Sequence, residues 1–272
     1  MKKGLRTLSA FEQFLESIPL DRYREELMPV KTVEQDLPPE LNPLPAIYSA
    51  FWVEEPVRFP DYEEFFDGWW KEHLGPLDTF IRRYFWGCSH EFVFQGFKAR
   101  LYRTMISVLT QFHFGYSWRA YCALPLETSA ELDMKGIDGL VHCGNVTVAL
   151  QIKKETYRSE ARGPGRFARR RATVDWVIEV PYTIVQVDEW RTKVQKARMP
   201  ETRGLYSLLM FLAERMQRWL PNGFVVFQPE YPILVERLIH ERVESGTHGD
   251  WAWDETLQRL RQKSESLEGS YL

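Results

Sequence analysis

Residues 136–155 read GIDGLVHCGNVTVALQIKKE, and this stretch decides the fold. In its second half Val148, Leu150 and Ile152 alternate with Ala149, Gln151 and Lys153. That period of two is what an extended strand imposes on its side chains. The first half, GIDGLVHC (136–143), makes another strand, and Gly144-Asn145 between the two is a tight-turn dipeptide, so a hairpin is expected. Alternation places Gln151 and Lys153 side by side on one face. Asp138 lies in the preceding strand, with Ile137 and Gly139 pointing the opposite way. A carboxylate, an amide oxygen and an ammonium are thereby brought to one edge of a sheet.

Upstream, Leu101, Met105, Val108, Leu109 and Phe112 fall at helix spacing within 98–112. SWRAYCALPL (117–126) alternates, with Trp118, Ala120, Cys122 and Leu124 sharing a face, and reads as a strand. Downstream, WVIEVPYTIV (176–185) reads as a further strand or its margin. LYSLLMFLAERMQRWL (205–220) reads as an amphipathic helix stopped by Pro221-Asn222-Gly223. GFVVFQP (223–229) is then a short strand, and a last helix covers 233–243. The first strands are antiparallel, and the later helix lets a strand return beside them. The expected class is α/β, a mixed sheet flanked by helices.

The N-terminal part is helical decoration. Residues 8–28 and two stretches within 61–83 have helix character. Between them KTVEQDLPPELNPLPAIY (31–48) carries Pro38, Pro39, Pro43 and Pro45 and must be an irregular strap. No repeat and no Gly/Ser linker divides the chain. A single domain over 1–272 is expected: a helical, proline-rich part (1–95), a core (96–243) and a polar tail (244–272).

Composition narrows the class. With 44% hydrophobic residues in 272, there is material for one sizeable core. Lys and Arg number 35 against 38 Asp and Glu, so a nucleic-acid surface would have to come from local clustering. The cysteines (88, 122, 143) form no CxxC pair, which points to a reducing cytosol and against structural zinc. The first twenty residues read as an amphipathic helix rather than a signal peptide, and no long apolar run spans a membrane. A cytoplasmic location is expected.

The Asp138, Gln151 and Lys153 group suits phosphodiester hydrolysis. Mg²⁺ prefers oxygen ligands and keeps several waters. The Asp138 carboxylate, the Gln151 amide oxygen and the Ile152 carbonyl could hold it, and Lys153 could orient a water or stabilise the pentacovalent phosphorus. Asp133, five residues before Asp138, could reach the same metal or its waters. Any one of these residues alone would be an ordinary turn or solvated-strand residue; their placement on adjacent strands behind a helix is what distinguishes them.

A second feature follows directly. TYRSEARGPGRFARRRATVDW (156–176) clusters Arg158, Arg162, Arg166, Arg169, Arg170 and Arg171, with Tyr157 and Phe167 between them. Arginine donates bidentately to phosphates and to guanine edges, and Gly163-Pro164-Gly165 makes a loop that could reach around a duplex. Lys154 could contact the phosphate backbone as well. Other chemistries find little support. His90, His113 and His142 have no paired-ligand spacing, there is no GxSxG elbow, and no glycine-rich phosphate loop occurs. Trp69, Trp70 and Trp86 read as core residues rather than stacking platforms.

ELDMKGIDGLVHC (131–143) followed by LQIKKETYRSEA (150–161) resembles the TaqI-type type II restriction endonucleases. So do KTVEQDLPPELNPLP near the N-terminus, RRYFWGCS (82–89) and ARLYRTMISVLTQFHFGYSW (99–118). The resemblance runs from about residue 8 to about 240 and fades after Glu244. It implies a PD-(D/E)xK nuclease fold, Mg²⁺ dependence, a homodimer, and double-strand cleavage at the self-complementary tetranucleotide TCGA. It implies functional roles for Asp133, Asp138 and one lysine of the Lys153–Lys154 pair, a methyltransferase that protects host sites, and a heat-stable protein. The chain departs from the fold's usual pattern in carrying Gln151 where an acid is expected, and the functional lysine maps onto either Lys153 or Lys154. The competing readings are a structure-specific or repair nuclease on the same fold, and an inactive DNA-binding module that uses the arginine loop alone.

Overall fold

The structure is a computed structural model that describes residues 3–31, 33, 35–155, 174–247 and 249–269. The chain divides into two compact units. One comprises Met1–Leu5, His113–Trp219 and Val225–Leu272; the other comprises Arg6–Phe112 and Leu220–Phe224.

The second of these is helical. It holds most of α1 (Lys3–Ser17), then α2 (Leu20–Glu26), α3 (Leu44–Phe51), α4 (Tyr62–Glu72), α5 (Leu74–Tyr84) and the larger part of α6 (His90–Tyr121). Helix α4 starts on a capping box: the Asp61 carboxylate accepts the Glu64 N–H at 2.9 Å and the Glu64 carboxylate accepts the Asp61 N–H at 3.2 Å. Its core is aromatic, with Phe11, Phe51, Phe66 and Phe97 fully buried. Of the strap expected over 31–48, residues 44–48 are instead the start of α3, whose first turn tolerates Pro45; the chain before it is tied down by α6. Arg100 donates to the carbonyls of Val33 and Gln35 at 2.5 and 2.6 Å, and Arg103 to those of Met28 and Val30 at 2.9 and 3.0 Å. Trp69 and Trp70 are buried as expected, but Trp86 is 88% exposed: it follows the end of α5, beyond the last turn that packs.

The first unit carries the sheet. Strands β1 (Leu126–Glu127), β2 (Gly139–Cys143), β3 (Val146–Lys154) and β4 (Trp176–Tyr182) lie in that order. The first three are antiparallel, and β4 runs parallel to β3 with Leu150 opposite Ile178 and Gln151 opposite Glu179. The β2–β3 hairpin turns at Gly144, whose φ of +61° is the left-handed conformation that glycine adopts without strain. Between β1 and β2 lies the one-turn helix α7 (Ala130–Met134). After β4 come α8 (Val187–Lys196), α9 (Pro200–Phe211), the short strands β5 (Gln217–Trp219) and β6 (Val225–Phe227), α10 (Glu230–Glu244) and α11 (Trp253–Gly269).

The two sheet faces differ. Val148, Leu150 and Ile152 of β3 join Ile178 and Val180 of β4 in a large cluster with Leu209, Leu234, Ile239, Leu257 and Leu260. On the other face, among the described residues, Ala149 and Val177 cluster with Ile137, Val174 and the partly buried Leu132 and Leu140. The face with the smaller cluster among the described residues is the one on which the polar residues of β3 stand. No helix is long and apolar enough to cross a membrane.

Four further expectations are corrected. Residues 117–121 are the last turn of α6 rather than strand, because Phe114 and Trp118 pack at i, i+4 and extending a formed helix needs no new nucleus. Residues 205–220 are not one helix: α9 ends at Phe211, a π-turn covers Leu212–Met216, and β5 follows. There Gln217 accepts the Thr183 N–H at 2.9 Å and donates to the Thr183 carbonyl at 3.1 Å, bonds that a helical register would not offer. The strand expected within 223–229 pairs with β5 in a separate two-stranded sheet; the strand that returns beside β3 is β4. Finally, the region after Glu244 is no polar tail, since Trp251, Trp253, Leu257 and Leu260 are all buried in the main core.

Candidate active site

The site is assembled around the turn that feeds β2. Helix α7 is capped by Ser129, whose hydroxyl accepts the Leu132 N–H at 3.2 Å. It ends with Gly136 at φ +74°, the Gly136 N–H donating to Asp133 O at 2.6 Å and the Ile137 N–H to Leu132 O at 2.9 Å. This pair of bonds is a Schellman stop, with Leu132 and Ile137 in the same apolar cluster. Asp133 therefore sits in the last turn of a helix and Asp138 at the mouth of a strand.

Asp138 is clamped across the sheet. Its N–H donates to Leu150 O at 3.0 Å, and its Oδ2 accepts the Ile152 N–H at 2.6 Å. These bonds straddle Gln151, which is 1% exposed. Gln151 Nε2 donates to the Gly136 carbonyl, while Gln151 Oε1 is buried without a hydrogen-bond partner among the described residues. An unpaired buried acceptor of this kind costs about 1–3 kcal/mol and calls for a ligand.

Lys153 follows on the same face. Its Nζ lies 2.6 Å from Glu179 Oε1, with the lysine side chain 22% exposed and the glutamate 3%. Lys154 is exposed, and strand alternation turns it to the opposite side of the sheet from Gln151 and Lys153. Two carboxylates here escaped the sequence reading. Glu179 stands in the apolar run WVIEVPY, every residue of which is buried; a lone acid in a buried parallel strand must be paired, and that was the available signal. Glu155 closes β3. It is buried, its carboxylate accepts the Thr183 hydroxyl at 2.9 Å, and burial raises its pKa against the opposing effect of that hydrogen bond.

The donors fit a hard cation poorly supplied with charge. Among the described residues no three His, Cys, Asp or Glu side chains are grouped to hold a metal ion. What the site offers is a carboxylate at Asp138, the unpartnered amide oxygen of Gln151 and the main chain at Ile152. Oxygen donors of this type, with coordination completed by water, suit Mg²⁺ rather than zinc. Tyr157, Arg158, Arg162, Arg166, Arg169, Arg170 and Arg171 lie outside the described residues.

Comparisons with known proteins identify the family. A profile described as TaqI restriction endonuclease matches residues 8–239. The type II restriction enzyme TaqI of Thermus aquaticus is 47% identical over 256 residues, covering 93% of this chain and 95% of that protein. The type II restriction enzyme TthHB8I of Thermus thermophilus is 47% identical over 255 residues, with the same coverage of both chains. No solved structure matches. The chain belongs to the TaqI restriction endonuclease family, a family of site-specific DNA-cleaving enzymes.

Proposed function

We propose that the protein hydrolyses both strands of duplex DNA at a short self-complementary site, TCGA, in a Mg²⁺-dependent reaction. The observation that carries the reading is the buried Oε1 of Gln151, without a hydrogen-bond partner among the described residues, set between the two bonds of Asp138 and beside Lys153. Asp138, Gln151 and the Ile152 carbonyl are the groups that would hold the cation. When bound, it supplies charge neutralisation at the scissile phosphate and a water of lowered pKa. Lys153 orients the attacking water or stabilises the charge that develops on phosphorus. Asp133 holds waters near the metal, and Lys154, on the opposite face, contacts the phosphate backbone.

The recognition site is an inheritance from the family. A self-complementary tetranucleotide has a two-fold axis of its own, so a symmetric homodimer gives each half-site the same reading surface and each strand one catalytic centre. A DNA methyltransferase with the same site preference is the functional partner, and the cytoplasm is the compartment in which both act. Digestion of a plasmid of known sequence, followed by sequencing of the ends, tests the reading. Discrete fragments ending within TCGA are expected with Mg²⁺ and none with excess chelator. Cleavage confined to branched or damaged DNA would favour a repair nuclease on the same fold, and binding without cleavage an inactive DNA-binding module.

Tyr157 and the arginines from Arg158 to Arg171 are proposed as DNA contacts on sequence grounds. Replacing Arg169, Arg170 and Arg171 together with alanine is expected to weaken binding and flatten its salt dependence. Each lost phosphate contact lowers the slope of log K against log salt by about 0.9. An unchanged slope in a titration of binding against salt would assign the segment to a solvated surface.

A further inference from the structure

We infer that Glu179 is a positioning residue for Lys153, and that the start of the C-terminal helix holds Glu179 in place. The inference rests on the assignment of Lys153 proposed above. Glu179 is the register partner of Gln151 on β4, so its side chain stands on the same face. Both of its carboxylate oxygens are engaged. Oε1 receives the Lys153 ammonium at 2.6 Å, and Oε2 accepts the N–H of Trp253, the first residue of α11, at 3.2 Å.

The chain around Trp253 is itself docked on β4. The Glu179 N–H donates to Trp251 O at 3.0 Å, the Trp251 N–H to Val177 O at 2.9 Å, and Asp250 Oδ1 accepts the Val177 N–H at 2.9 Å. Trp251 and Trp253 are buried. Residues 250–253 thus run beside β4 like a short extra strand and then deliver a helix N-terminus to a buried carboxylate. A negative charge is stabilised there by the Trp253 N–H and the dipole of the helix. Lysine has four rotatable side-chain bonds and little intrinsic preference for one pose. A carboxylate fixed by a rigid element removes that freedom and leaves the ammonium at one position along the Gln151 face. This matters because misplacement of a reacting group by about 1 Å costs on the order of 100-fold in rate.

Glu179→Gln is the informative change, since it keeps the shape and an oxygen for the Trp253 N–H while removing the charge that holds the ammonium. Two measurements decide the matter. The first is a double-mutant cycle of single-turnover cleavage rates with Glu179→Gln, Lys153→Ala and the double variant. Glu179→Gln is expected to slow cleavage about 10- to 100-fold in the wild-type background and to have no further effect on Lys153→Ala. The second uses metal-free protein without DNA: the side-chain ¹⁵N–¹H signal of the Lys153 ammonium, assigned with Lys153→Arg, is expected in the wild type and lost in Glu179→Gln.

Rates within threefold of wild type, multiplicative losses in the double variant, or a Lys153 signal that survives Glu179→Gln would each overturn the inference. If the signal behaves as expected but Lys153→Ala cleaves normally, the assignment of Lys153 fails and the inference fails with it. If Lys153→Ala is inactive but the signal survives Glu179→Gln, only the inference fails. A merely structural role for Glu179 would slow both backgrounds equally.

Discussion

Asp138→Ala is expected to lower cleavage by about 1,000-fold or more while leaving specific DNA binding intact. Asp138 is the carboxylate whose backbone and side chain bracket Gln151, and among the described residues no group of three acids shares its task. Removing it takes away the one formal negative charge among the proposed donors, so the cation and the polarised water go together. Binding should hold or tighten, because a carboxylate near a phosphate repels it by on the order of 1 kcal/mol even at a high effective dielectric. The alanine also strips the Ile152 N–H of its acceptor, at a cost of about 1–3 kcal/mol. Asp138→Asn is therefore the necessary companion: an amide oxygen can still accept from Ile152, so folding should match wild type while cleavage is lost. Gel shifts and plasmid nicking read both quantities, and robust cleavage by either variant would remove Asp138 from the site. The same protein tests the dimer. Wild type mixed with excess Asp138→Ala, under conditions that allow subunit exchange, should accumulate nicked circles; simple dilution of activity would count against a dimer.

The hairpin was legible because two local signals agree on it: alternation in VTVALQIKK, and a Gly144-Asn145 turn between two short apolar runs. The same agreement exposed Asp138, Gln151 and Lys153 as neighbours. Failures occurred where tertiary contacts outvoted local pattern. Alternation in SWRAYCALPL covers too few residues to compete with a helix that already runs from His90. The break of α9 into β5 depends on Gln217 meeting Thr183, a partner 34 positions away. Residues 244–272 looked polar because the core uses only one stripe of α11. That stripe, which begins at Trp253, packs in the core with β3 and β4, while Trp251 pairs along β4; losing both from view also hid Glu179. Long-range pairing is what periodicity cannot report, and Glu179 is a residue whose meaning is entirely long-range.

Lys153→Ala is expected to lose at least about 100-fold in single-turnover rate, and Lys154→Ala only a few-fold. The family resemblance leaves the functional lysine open between the two; geometry separates them. Lys153 shares its face with Gln151 and Glu179, and its ammonium reaches the Glu179 carboxylate. Lys154 stands exposed and turned the other way. A group that stabilises charge only as the phosphate reacts should affect the rate of chemistry and leave affinity nearly unchanged. A group that pairs with the backbone phosphates should do the reverse, reducing affinity and the salt slope. The two alanine variants are thus predicted to differ in kind as well as in size: Lys153→Ala in the cleavage step at saturating enzyme, Lys154→Ala in binding. Lys153→Arg sharpens the comparison. It keeps the charge and can retain the bond to Glu179, but a planar fork places its donors differently from a compact ammonium, so partial activity is expected. If single-turnover rates rank the lysines the other way, the bound enzyme must rotate β3 about its axis near Lys153, and the face shared with Gln151 is then not the reacting one.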